Sequence, residues 1–325
     1  MSDTQTLLSL AGFCVAAYSM IANDAIQTIG TFLSSNKKRP WWVLWLFTAI
    51  ILVIVLLYGW YSSGAAHDVS YGRLKSIPFP KDGLTWIYVV PPFVILLLTR
   101  FGVPVSTTFL LLTIFAPGNL AGMVIKSLVG YFVAFFAAIL LYSTVIKKTT
   151  QYFNATHEQA VPKYWVGLQW LSTSFLWSQW LVQDLANTFV FLPRQVSLQW
   201  LLFSLVLFIL ALGFVFYRGG GLIQRVVLNK TGTTDIRGAT VIDFIYGFIL
   251  LIFKEWSHMP MSTTWVFLGL LAGREFAFAF SLYARPIDET ARVVRSDMTK
   301  ALFGLVVSIV LAWALPQIYK LLPMF

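Results

Sequence analysis

The chain has 325 residues, 58% of them hydrophobic and only 11% charged, with a net charge of +10 and a mean hydropathy of +0.77. Soluble domains carry about 25% charged residues, so a soluble domain is excluded and an integral protein of the lipid bilayer is expected. Cys14 is the only cysteine, which excludes an intrachain disulfide or a cysteine-based metal site, and no basic amphipathic or RNP-like element accompanies the positive charge, so no nucleic-acid partner is expected.

The opening residues, "MSDTQT", lack a basic region and are not read as a signal peptide. A helix crosses a bilayer with about 20 apolar residues. The first such region, 5–33, is interrupted by "SMIANDAIQTIG" at 19–30, which sets Asn23, Asp24 and Gln27 at i, i+1 and i+4, with Thr28 beside them. A carboxylate in hydrocarbon costs roughly 2.5–3.5 kcal/mol on insertion scales, so an intramembrane Asp is a functional candidate by default. A clean span at 41–60 follows, then a loop at 61–83 with Arg73, Lys75 and Lys81. Segments 84–100 and 104–117 sit back to back, split by a turn at Pro104, and 119–146 closes a first half, 1–150. A short linker at 151–163 leads into a second half, 164–325. There the order repeats: an interrupted segment at 165–192, a span at 197–217, a pair at 240–257 and 262–280 split at Pro260, and a span at 300–318.

The two halves share landmarks. "PVSTT" at 104–108 is answered 156 residues later by "PMSTT" at 260–264, "IANDAIQT" by "LVQDLANT" with Asp24 and Asp184 160 residues apart, and Trp41 by Trp200 at 159. Three landmarks in one order at nearly one offset indicate a duplicated chain. Five segments per half reverse the second half. The basic loops agree with a positive-inside assignment: Lys37, Lys38 and Arg39; Lys147, Lys148 and Lys163; Arg218, Arg225, Lys230 and Arg237; and Arg285, Arg292, Arg295 and Lys300 all fall on one side, with both termini external. Loop 61–83 is the exception. The expected fold is therefore an all-α polytopic membrane protein of two inverted repeats, each of about five segments, with broken helices and two pairs that can be re-entrant hairpins. Inverted repeats with broken helices are an architecture of secondary transporters.

The motifs suit that role. In each P-x-S-T-T, a proline near a helix start leads Ser106, Thr107 and Thr108, or Ser262, Thr263 and Thr264, into a first turn where free N–H groups and the positive dipole end attract an anion. Two such turns make a donor-rich cradle for a tetrahedral oxyanion. Asn23, Asp24 and Gln27, and their counterparts Gln183, Asp184 and Asn187, supply carboxylate and amide oxygens that, with carbonyls of an unwound helix, suit a hard cation such as Na⁺ bound at Asp24 and Asp184. A buried Asp can instead carry a proton. No cofactor beyond such a coupling ion is expected. The three histidines, His67, His157 and His258, have no ligand spacing, which disfavours an enzyme acting on lipid phosphates. Lys254, Glu255, Arg274 and Glu275 are read as paired ions or helix-end groups, and the 13 Trp and 28 Phe as lipid-facing and interfacial.

These stretches resemble the PiT family of inorganic phosphate transporters, which carries a G-A-N-D-V-A-N-A-type and a P-x-S-T-T-H-type motif in each half. "IANDAIQTIGT" at 21–31 keeps A-N-D and I-G-T, "LVQDLANT" at 181–188 keeps the Asp and A-N, and both P-x-S-T-T turns are present. Ile21 and Leu181 replace the leading Gly, Gln27 and Gln183 replace Asn, and Phe109 and Trp265 replace the His after S-T-T. The resemblance implies cation-coupled uptake of phosphate, with the two Asp residues and the Ser/Thr turns at the site; the expected coupling ion is Na⁺ or H⁺, the expected membrane a bacterial inner membrane, and a homodimer is an expected assembly. A related sulfate permease is the alternative.

Overall fold

The computed structural model describes residues 3–101, 103, 105–142, 161–221, 224, 236–256, 260–282 and 286–321. They form helices and connecting turns, with no strand among the described residues. In chain order these are α1 (Asp3–Met20), a π-helical turn (Ile21–Ala25), α2 (Ile26–Ser35), α3 (Trp41–Ser62) and α4 (Trp86–Arg100). A second π turn (Thr108–Leu112), α5 (Thr113–Phe115), α6 (Leu120–Leu141), α7 (Tyr164–Asp184), α8 (Ala186–Phe189), α9 (Leu198–Tyr217), α10 (Ile236–Trp256), α11 (Thr263–Leu282) and α12 (Ile287–Leu321) follow. Among the described residues six helical stretches are long and apolar enough to cross a membrane: 3–35, 41–62, 117–141, 198–217, 236–256 and 287–321. The protein is an integral membrane protein.

Several expectations change. The region at 5–33 is not unwound at its polar motif: it runs as helix through one widened π turn, so the backbone bends its register without a break. In the second half α7 reaches Asp184, and a short α8 follows after Leu185. The expected loop at 281–300 is largely helical, because α12 starts at Ile287. At 1.5 Å per residue, its 35 residues span about 50 Å, more than the roughly 30 Å hydrocarbon core. Its charged N-terminal stretch, with Asp288, Glu289, Arg292, Arg295, Asp297 and Lys300, therefore projects beyond the apolar layer. α4 has only 15 residues and holds Pro91 and Pro92. The linker expected at 151–163 lies outside the described residues up to 160, as do Lys147, Lys148, Arg225, Lys230, Arg285, Pro104, His157 and His258.

The aromatic reading is half right. Trp42, Trp256 and Trp313 are 53–72% exposed, as interfacial side chains should be, whereas Trp177, Trp180 and Trp265 are buried, together with Phe13, Phe32, Phe109, Phe189, Phe191, Phe208 and Phe216. Trp177 and Trp180 stack with centroids 4.9 Å apart, and Trp177 Nε1 donates to Thr48 O at 3.0 Å, pinning α7 to α3. A buried indole needs such an acceptor.

Two helix pairs pack closely at glycines, one of them backbone to backbone. In α11, Gly269 and Gly273 stand four apart and face α6: a Cβ at Gly269 would lie 2.2 Å from Tyr131 O, and one at Gly273 2.1 Å from Phe135 O. Small residues four apart let membrane helices approach closely, where van der Waals contact rather than the hydrophobic effect drives association. A Cβ at Gly247 of α10 would meet α7, 2.7 Å from a Phe175 ring carbon and 3.2 Å from Leu176 Cα. These two pairs flank the polar centre.

Lys254 pairs with the neighbouring Glu255 at 3.3 Å and Arg274 with Glu275 at 3.1 Å, the second pair largely buried. Both are sequence-adjacent ion pairs, as expected.

Candidate anion and cation site

The four motifs converge. Asn23, Asp24, Gln27, Gln183, Asp184 and Asn187 are each 4% exposed or less, and Ser106, Thr107, Thr108, Ser262, Thr263 and Thr264 6% or less. All twelve side chains are buried in this conformation.

The contacts come in matched pairs. Asp24 accepts a short hydrogen bond from Thr107 of its own half, and Asp184 one from Thr263 of its own half at 2.7 Å. Each carboxylate also faces the next threonine of the opposite half: Thr264 donates to Asp24 at 3.1 Å, and the Thr108 hydroxyl reaches Asp184. The same two hydroxyls cross to main-chain oxygens, Thr108 to Met261 O at 3.2 Å and Thr264 to Val105 O at 3.5 Å. Asn187 adds a lateral tie, donating to Asp184 at 2.7 Å and to Thr107 at 2.9 Å, and Asn23 donates to Asp24 at 2.9 Å and Val105 O at 2.8 Å. The two carboxylates lie within electrostatic range of each other.

The serines take a different place from the one expected. Ser106 Oγ accepts from Phe109 N at 3.2 Å and Ser262 Oγ from Trp265 N at 3.3 Å. Each is thus the N-cap of its turn rather than a first-turn residue, since a cap side chain accepts from the N–H three residues on. Pro260 stands two residues before that cap, outside α11, and Ser262 N is engaged by Ser127 Oγ at 2.8 Å. Capping uses a lone pair of each serine and leaves its O–H undonated among the described residues, free for an anion.

The amide side chains are donors spent on one side and acceptors left open on the other. Gln27 donates to Asn23 at 3.4 Å and Asp24 at 3.3 Å, and Gln183 to Leu250 O at 3.0 Å. Gln27 Oε1, Gln183 Oε1 and Asn187 Oδ1 are buried with no donor. Buried acceptors are normally satisfied. Three orphan amide oxygens on residues that neighbour the two aspartates in sequence are of the kind a hard cation takes.

No family model matches the sequence, and no curated protein matches it. A solved structure described as "The sodium-dependent phosphate transporter" does, with a TM-score of 0.61 at 16% identity, over 98% of this chain and 99% of that one. The chain has the fold of that phosphate transporter.

Within the phosphate-transporter fold, the positions after S-T-T where Phe109 and Trp265 stand are not polar. The two rings are buried and meet edge to face at 5.5 Å across the halves, so packing occupies the place of an imidazole. Three functional candidates escaped the sequence reading. Tyr246 of α10 donates to Thr263 O at 3.0 Å and lies within electrostatic range of both carboxylates; nothing in its local sequence marks it. Asp243, one turn away, is fully buried and accepts from Thr31 at 2.7 Å and Thr173 at 2.6 Å, tying α2, α7 and α10. Its signal was present, a lone carboxylate in "GATVIDFIYG". Arg73 was counted as a loop charge, although its side chain is buried.

Proposed function

We propose that the protein is a secondary transporter that imports an inorganic oxyanion, phosphate in the first instance, coupled to Na⁺ or H⁺, and that it acts without catalysing a chemical reaction. The observation that carries this reading is the crossed set of threonine–aspartate bonds between two motif pairs at a buried centre. It brings two carboxyl groups, open amide oxygens and two serine hydroxyls together at one buried centre, which suits a cation and an oxyanion taken together. The fold shared with a sodium-dependent phosphate transporter supports the same reading. In our reading residues 1–150 and 164–325 are inverted repeats that rock about this centre, with both termini external in a bacterial inner membrane, while a sulfate permease of the same fold is the second substrate reading. Uptake of radiolabelled phosphate and sulfate into proteoliposomes, with and without Na⁺ and a pH gradient, tests it. Gradient-driven accumulation of phosphate is expected; no accumulation of either anion under any gradient would end the proposal.

The serine caps give a graded test. Ser106→Ala and Ser262→Ala each remove an N-cap, worth about 1 kcal/mol, and one proposed donor to the anion, worth about 1–3 kcal/mol when the partner is left unsatisfied. Apparent phosphate affinity should fall roughly tenfold in each variant, with a small drop in thermal stability. Unchanged affinity with lowered stability would leave the serines as caps only.

Topology is tested by cysteine labelling in a Cys14→Ser background. Lys37 and Asp82 are both exposed on the described surface, as is Arg292. Cysteines at 37 and 292 should be shielded from an impermeant external thiol reagent, and one at 82 should react. Labelling at 292 with protection at 82 would overturn the inverted arrangement.

A further inference from the structure

Arg73 lies on the connection between α3 and α4, where a basic residue would ordinarily be solvated, yet it is 1% exposed. The local chain turns it inward. Asp68 accepts from Ser70 N, Ser70 Oγ and Gly72 N at 2.5–2.7 Å, and Tyr71 and Gly72 take left-handed backbone conformations with φ of 55° and 78°. That compact turn directs residue 73 into the protein. Arg73 Nε donates to Val182 O at 2.9 Å, immediately before Gln183 and Asp184. Its two terminal nitrogens, Nη1 and Nη2, are buried and have no hydrogen-bond partner. Arg73 is within electrostatic range of Asp184 and of Lys126 on α6, and Lys126 adjoins Ser127, which holds Ser262 N.

A guanidinium carries five N–H donors in a planar fork, and one is used here. Burying such a group with its outer donors unpaired is unfavourable. Asp184, the carboxyl within electrostatic range, is engaged by Asn187 at Oδ1 and Thr263 at Oδ2, and no carboxylate oxygen lies within ion-pair distance of Arg73 among the described residues. The fork geometry matches two oxygens of a tetrahedral oxyanion. Burial pushes the guanidinium down to about 10, while the Asp184 charge pulls it back up, so it is cationic at neutral pH.

We propose that Arg73 is a fixed-charge ligand of the transported oxyanion, donating through Nη1 and Nη2 alongside the hydroxyls of Ser106 and Ser262. This rests on the reading of the centre as an oxyanion site. A permanent cation there offsets one negative charge of the cargo and favours the more highly charged ionisation state of phosphate.

The test uses the purified full chain and equilibrium binding of radiolabelled inorganic phosphate and sulfate, across pH, at saturating and at varied Na⁺. Arg73→Gln keeps a donor for Val182 O and removes the charge; Arg73→Lys keeps the charge and removes the fork. Wild type should bind more tightly as pH rises through the second ionisation of phosphate. Arg73→Gln should lose at least tenfold in affinity and lose that pH preference, while Arg73→Lys should keep the preference at intermediate affinity. If both variants bind like wild type, or if only the Na⁺ dependence moves, Arg73 is a counter-charge to Asp184 and the proposal fails while the oxyanion reading stands. If wild type binds neither anion, the oxyanion reading fails and this proposal with it. A wild-type melting profile and a monodisperse peak in detergent keep a misfolded Arg73→Gln from counting as support: a variant lacking them is set aside and Arg73→Lys decides.

Discussion

Asp24→Asn and Asp184→Asn should each abolish gradient-driven phosphate uptake in proteoliposomes while the folded protein still reaches the membrane. Asp24 accepts from Asn23, Gln27, Thr107 and Thr264, and Asp184 from Asn187 and Thr263. An Asn at either position keeps the size and one acceptor but turns an NH₂ group toward hydrogen-bond donors and removes the charge. Breaking one side of a buried charged network typically costs about 3–5 kcal/mol, which corresponds to a loss of roughly 100-fold or more. The two coupling ions make different residues of activity. With Na⁺, the cation loses its counter-charge and all anion movement should stop. With H⁺, the amide mimics a permanently protonated site, and anion exchange should survive while accumulation against a gradient is lost. Full gradient-driven uptake in either variant would mean that the carboxylates only brace the helices.

Gly269→Leu and Gly273→Leu should prevent correct assembly of the helical bundle. The contacts a side chain would make at these sites are with the carbonyl oxygens of Tyr131 and Phe135, at 2.2 and 2.1 Å from the Cβ alone. A side chain in the way can change rotamer; a carbonyl in a helix cannot turn aside without giving up its own hydrogen bond. Overpacking usually costs about 1–3 kcal/mol, and here the whole of α11 must move off α6, so alanine should reach the upper end of that range and leucine exceed it. The readout is thermal stability and a monodisperse peak in detergent. Gly167→Ala, where a Cβ meets nothing within 4 Å, should behave as wild type. An unchanged melting profile for Gly269→Ala and Gly273→Ala would show that α6 and α11 are not in backbone contact.

The polar centre was legible because each of its groups is costly where it sits: two carboxylates in apolar segments and a Pro-led S-T-T written twice have few bland explanations. Segment order followed from apolar length. What escaped was everything that depends on who sits opposite. Arg73 has the local composition of a solvated loop, and only the inward turn at 68–72 shows that it left the surface, while Lys75 and Lys81 on the same loop stay exposed. The serines read as anion donors, and the contact with N–H groups three residues on makes them caps first. Gly269 and Gly273 spell a small-residue pair in plain view, but which helix they accept is decided by α6. The buried tryptophans carry no mark that separates them from those at the interface.

The π turns at Ile21–Ala25 and Thr108–Leu112 both lie in the first half, whereas the second half interrupts its helix at Leu185, opposite the first turn, and runs as regular α-helix from Thr263, opposite the second. Each π turn stores one residue of slack next to a cross-tied threonine or aspartate. In the inverted-repeat reading proposed above, the opposite-facing state is reached when the two halves trade conformations. On that reading the slack should pass from one half to the other, tightening around Asp24 as the interruption at Leu185 loosens around Asp184, so that a fault in helical winding moves between the halves while the crossing helices stay packed.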